Sequence, residues 1–191
     1  MINPSQNKME MNQDSNNVSY SATKEINENS TIKSGVYTST NKDENALLIS
    51  GSTTEISNIT VNKTGDSNGG DSTNFYGNNS AILAKDGANL TLNNITVTTD
   101  ATGANGIFSY GGSATTNNSS SDGTSITISD SSITTMKDNS GGIMTTVGGI
   151  MNASNLIIQT AGTSSAAIRT DRGGGTVNVD GGAYSTININ W

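Results

Sequence analysis

Apolar residues along this chain fall in short alternating runs, not at helical spacing. Between Ser80 and Thr99 the sequence SAILAKDGANLTLNNITVTT holds three of them: Ala81-Ile82-Leu83-Ala84, Leu90-Thr91-Leu92 and Ile95-Thr96-Val97. Alternation with a period of two puts the apolar side chains on one face of a strand. Lys85-Asp86-Gly87 and Asn93-Asn94 separate the runs. Gly, Asn and Asp tolerate the left-handed backbone of tight corners. Three strands and two corners in so short a stretch predict one rung of a coiled ribbon.

The pattern recurs. First runs are marked by Leu47, Ile82, Ile107, Ile143 and Ile168, at intervals of 35, 25, 36 and 25 residues. Third runs begin at Tyr37, Ile59, Ile95, Ile133, Leu156 and Tyr184. The residue before the third run is Asn58, Asn94, Ser132 and Asn155 in successive rungs, a column of corner residues whose amides can hydrogen-bond along the stack. The long intervals hold Lys63–Asn79 and Gly111–Thr124, rich in Gly, Ser and Asn, as loops leaving a corner should be. These observations predict an all-β fold: a right-handed parallel β-helix of five to six rungs with two loop insertions. Residues 1–17 read as a polar lead-in and 18–191 as the solenoid domain. The chain stops at Trp191, soon after Tyr184 restarts a third run. The reading is therefore of a solenoid incomplete at its C-terminal end, whose open sheet edge invites self-association.

Composition agrees with stacking and opposes a compact core. Ser, Thr and Asn number 27 each, and only 31% of the chain is hydrophobic. Each rung of a solenoid needs only a few aliphatics, buried against the rungs above and below. The net charge of −7 argues against nucleic acid and anionic membrane surfaces, and no apolar run is long enough for membrane insertion. Without Cys or His, disulfides and thiolate or imidazole metal sites are excluded. The polar opening MINPSQNKMEMNQDSNN is not a secretory signal, so the chain reads as a trimmed exported product or as a cytoplasmic protein.

Three constellations could carry chemistry. If the first-run residues above point inward, their successors Leu48, Leu83, Phe108, Met144 and Arg169 point outward. Such an apolar column is either a binding stripe for a sugar face or a protein, or it is covered by Phe75-Tyr76 or by the N-terminal segment. The neighbouring corner carries Lys85-Asp86, Tyr110 and Arg169-Thr170-Asp171-Arg172-Gly173-Gly174-Gly175, with both arginines of the chain. Guanidinium forks bind carboxylates and hydroxyl-rich ligands; the alternative is an Arg–Asp pair that pins a Gly-rich turn. Candidate ligand contacts are thus Leu83, Lys85, Asp86, Phe108, Tyr110, Met144, Arg169, Asp171 and Arg172. Asp66, Asp71 and Asp100 cluster at another corner and could offer oxygens to Ca²⁺, or be solvated loop charge. No carboxylate pair faces one groove as glycoside hydrolysis requires, so no catalytic residue is assigned.

The segments ENALLISG, NFYGNNSAIL, NGIFSYG, DNSGGIMTT and AAIRTDRGGGTVNVDGGAYST resemble bacterial right-handed parallel β-helix surface proteins, the adhesin-like or carbohydrate-binding β-helix family. The resemblance runs over nearly the whole chain. It implies a secreted or surface-attached, non-catalytic module that binds polysaccharide or a host-surface glycan, with Ca²⁺ as the cofactor to consider. Members of that family usually begin with an export signal and continue for several more rungs. A Ca²⁺-dependent polysaccharide lyase and a self-associating structural spacer are the two rival readings.

Overall fold

The computed structural model describes residues 18–67, 69–112 and 121–187. Residues 1–17 and 188–191, which include the expected lead-in and the end at Trp191, lie outside the described residues. So do residues 113–120 of the second insertion.

Every rung has three strands. The first rung is β1 (Ala22–Ile26), β2 (Ser30–Ile32) and β3 (Gly35–Ser39), and the second is β4 (Asn45–Ser50), β5 (Thr53–Ser57) and β6 (Ile59–Lys63). A one-turn helix, α1 (Asp71–Asn74), interrupts the chain before β7 (Ile82–Lys85), β8 (Asn89–Asn93) and β9 (Thr96–Thr99). The fourth rung is β10 (Ile107–Tyr110), β11 (Ser125–Ser129) and β12 (Ser132–Thr135); the fifth is β13 (Ile143–Thr146), β14 (Gly149–Ser154) and β15 (Ile157–Ala161). The last described rung is β16 (Ile168–Thr170), β17 (Gly175–Asp180) and β18 (Ala183–Ile187). First, second and third strands stack into three parallel sheets of six strands each. This is a parallel β-helix. The insertions leave where the loop-rich intervals place them, between β6 and β7 and between β10 and β11.

The core is a set of vertical columns. In the first sheet Leu47, Ile82, Ile107, Ile143 and Ile168 are register partners, as their spacing predicts. In the third sheet the column is Tyr37, Val61, Val97, Ile133, Ile158 and Tyr184. The expected third-run starts Ile59, Ile95 and Leu156 therefore lie two residues before this column. A shift of two keeps every side chain on its face, so alternation alone cannot detect it. The same shift corrects the corner column. The left-handed residues are Asn58, Asn94, Asp130 and Asn155, with φ of 54°, 51°, 51° and 51°, and Asp130 replaces the expected Ser132. Their side chains bond along the stack: Asn94 Nδ2 donates to Asn58 Oδ1 at 2.7 Å, and Asn155 Nδ2 to Asp130 Oδ1 at 2.7 Å.

A column of inward hydroxyls closes the corner between the third and first sheets: Ser39, then Thr99, Thr135, Thr160 and Thr186, with Lys63 in place of a hydroxyl in the second rung. Ser39 Oγ and Thr135 Oγ1 each donate to a carbonyl five residues ahead, of Glu44 and Ser140. In the second rung that corner opens into the insertion between β6 and β7. The longer Lys63 spans the gap.

Candidate functional site

The outward column of the first sheet is covered. Leu48, Leu83, Phe108, Tyr110 and Met144 form a second buried cluster with Tyr76 and Val147, onto which Val18, Tyr20, Ala22 and Phe75 pack. Leu83, Phe108 and Met144 are 0% exposed, so none of them can touch a ligand and all three leave the candidate set. Both covers considered from the sequence are present at once: the insertion lies over the column and so does the N-terminal segment. Thr146 Oγ1 donates to the Phe75 carbonyl at 2.8 Å, and Tyr20 Oη to the Tyr76 carbonyl at 3.1 Å. Tyr110 meets Tyr76 edge-on, with ring centroids 5.4 Å apart, and is buried as well. Burial raises the Tyr20 hydroxyl above its ordinary range, with help from Tyr110, Asp86 and Tyr76.

The neighbouring charges serve this cover. Arg172 pairs with Asp71 of α1 and stacks on Phe75, its guanidinium 3.8 Å from the ring centroid. Arg169 pairs with Asp171, whose Oδ1 also accepts the Arg172 N–H at 2.7 Å. Burial alone would raise the Asp171 carboxyl. The Arg172 N–H, the Arg169 hydrogen bond and the two guanidinium charges outweigh it and hold the group below the usual carboxylate range. Lys85 pairs with Asp86 and lies 4.8 Å from the Tyr20 ring centroid, while Ser50 Oγ donates to the same carboxylate at 2.7 Å. The corner thus behaves as the Arg–Asp clamp on a Gly-rich turn that the sequence offered as an alternative.

The aspartates do not converge. Asp66 Oδ1 accepts the Thr102 N–H at 2.7 Å, Asp71 faces Arg172, and Asp100 lies 3.5 Å from Lys137 Nζ. Among the described residues no group of three His, Cys, Asp or Glu could hold a metal ion. Asp66, Asp71 and Asp100 therefore do not fit a Ca²⁺ site.

The outer faces of the second and third sheets remain open, and the second carries the more regular polar columns. Its central column is Thr31, Glu55, Thr91, Thr127, Asn152 and Asn178. Beside it run Ser57, Asn93, Ser129, Ser154 and Asp180. Two shallow depressions lie end to end on these columns. One is lined by Thr31, Lys33, Glu55, Ser57, Thr91 and Asn93, the other by Thr127, Asn152, Ser154, Asn178 and Asp180. The sequence reading passed over this face because Ser, Thr and Asn are what any solvated strand shows outward. The available signal was their vertical alignment once the register is known.

Lys63 was also missed. It is 0% exposed, and its Nζ donates to the carbonyls of Asn41 and Gly65, each at 2.6 Å. Burial pushes its ammonium down to about 8, against the opposing charges of Glu44, Asp43 and Asp66. No helix among the described residues is long and apolar enough to cross a membrane. No protein-family model, curated protein or solved structure matches this chain.

Proposed function

We propose that this chain is a non-catalytic binding module, extracellular or cell-surface, that holds a neutral hydroxyl-rich polysaccharide along the outer face of its second sheet. One observation carries the reading: the central outward column of that sheet stays in register across the six described rungs, with a hydroxyl or amide in five of them and Glu55 in the second, and a second column of hydroxyls and an amide ending in Asp180 runs beside it over five rungs. Rungs repeat at about 4.8 Å, close to the length of one pyranose unit, so a chain lying along the axis meets one polar side chain of the central column at each sugar. Asn and Thr side chains both donate and accept, which suits vicinal hydroxyls. The net charge of −7 and the placement of Glu55 and Asp180 on this face favour a neutral ligand over a polyanion. These two carboxylates are four rungs apart, roughly 19 Å at that spacing, too far to act together on one glycosidic bond. The surface-protein resemblance of the sequence supports the same placement outside the cell.

Affinity electrophoresis through gels containing neutral polysaccharides tests the proposal. Each lost side-chain hydrogen bond is worth about 1 kcal/mol, so Thr127→Ala with Asn152→Ala together should weaken retention about thirtyfold. Arg169→Ala with Arg172→Ala should leave it unchanged. Retention lost only in the arginine variant would move the site to the clamped corner and overturn the assignment to the second sheet.

A further inference from the structure

We propose that Lys63 and Asn79 form an intramolecular amide cross-link, Nζ of the lysine joined to Cγ of the asparagine with loss of ammonia. Both side chains are 0% exposed. Both donate to one acceptor, the Gly65 carbonyl: Lys63 Nζ at 2.6 Å and Asn79 Nδ2 at 3.0 Å. The two nitrogens are thus gathered on a single oxygen in a site without water access. Asn79 Oδ1 is buried and has no hydrogen-bond partner, so its lone pairs are free to take up the proton that neutralises the oxyanion formed when Cγ is attacked.

The other polar side chains around Lys63 are already engaged. The Asn41 amide donates to both oxygens of Glu44 at 3.2 Å. Asp43 accepts from Ser67 Oγ at 2.7 Å, and Asp66 from the Thr102 N–H at 2.7 Å. Asn79 is the carboxamide left for the amine.

The chemistry balances within the chain. A neutral Lys63 amine attacks Asn79 Cγ and a C–N bond forms. The carboxamide C–N bond breaks, and a proton from the attacking nitrogen passes to the leaving nitrogen, which departs as ammonia. No oxidant or further reactant is consumed. Burial raises the share of neutral amine, since it lowers the lysine to about 8. The proton passes between the two nitrogens themselves, which share the Gly65 carbonyl as acceptor. The product amide keeps an N–H for the Gly65 carbonyl. Its consequence is mechanical: it ties the end of β6 to the chain entering β7 and closes the insertion that covers Leu83, Phe108 and Met144.

The test is the intact mass of the purified full chain, followed by fragmentation. The expected result is a mass lower than that of the sequence by one ammonia, no tryptic cleavage after Lys63, and a branched peptide joining Lys63 to Asn79. Asn79→Ala and Lys63→Met should each restore the full mass. The wild-type measurement stands even if these variants fail to fold. A full sequence mass in the folded wild-type chain would overturn the proposal. So would a loss of ammonia that maps to a cyclised Asn68-Gly69 or Asn105-Gly106 step.

Discussion

Replacing Phe108 by alanine separates a covered apolar column from an exposed one. Phe108 points away from the rung interior yet is 0% exposed, packed among Leu83, Met144, Tyr76 and Tyr110. Truncating a fully buried phenylalanine costs about 3–5 kcal/mol, the transfer loss plus the cavity left behind. Ile157 is the internal control, because it also points outward, from β15, but is 57% exposed. Its alanine variant should stay within about 0.5 kcal/mol of the parent. With a urea slope of about 1–3 kcal/mol per molar, the Phe108 loss lowers the unfolding midpoint by about 1 M or more. Gly77→Ala strikes the same cluster from the other side. Gly77 has φ +70°, and a Cβ there would lie 2.8 Å from Phe108 Cγ and 3.0 Å from Leu83 Cδ1. It should lift the cover locally, with faster amide exchange over residues 69–80 while β7, β10 and β13 stay protected. If Phe108→Ala shifts the midpoint no more than Ile157→Ala does, the column is not covered and the reasoning fails.

Two further outcomes follow from the corners. Asn94 holds φ 51° and donates to Asn58 Oδ1, so Asn94→Ala loses both a hydrogen bond and a tolerated left-handed residue, whereas Asn94→Gly loses only the bond. Thermal melts should place alanine about 1 kcal/mol below glycine; equal melting would remove the backbone constraint from the argument. Asp171 has a lowered folded pKa, so its stabilising effect is present above the unfolded value near 4 and disappears as pH falls through the folded one. Protection of the Arg172 and Gly174 amides, which bond to Asp171 Oδ1 and its carbonyl, should therefore fall below about pH 4 once intrinsic exchange is corrected, and should lose this dependence in Asp171→Asn. Constant protection down to about pH 2 would contradict the clamp.

The legible and illegible parts of this molecule divide by the range of the interaction that decides them. Rung stacking is written into periodicity, so the Leu47-to-Ile168 column could be read in full from spacing. The third-sheet register could not, because Ile59 and Val61 are equally good inward residues and only the ladder chooses between them. Ser132 was exchanged for Asp130 by that same ambiguity. The fate of the outward column hinged on whether two polar, weakly patterned segments fold back over it, and nothing in Phe75-Tyr76 or Tyr20 taken alone says that they do. Hence Leu83, Phe108 and Met144 read equally well as a binding stripe and as a second core.

Lys63 lies between these cases. It follows Ile59 and Val61 at two-residue steps, so alternation already marks it as an inward residue at the end of a strand. A lysine at such a position must find acceptors or lose its charge. That conflict was readable, although the identity of its acceptors was not, since the Asn41 and Gly65 carbonyls reach it only through the fold of the neighbouring turn and the insertion. In a β-helix, a charged residue that breaks an inward hydroxyl column is therefore the place to look first for chemistry that the repeat itself does not require.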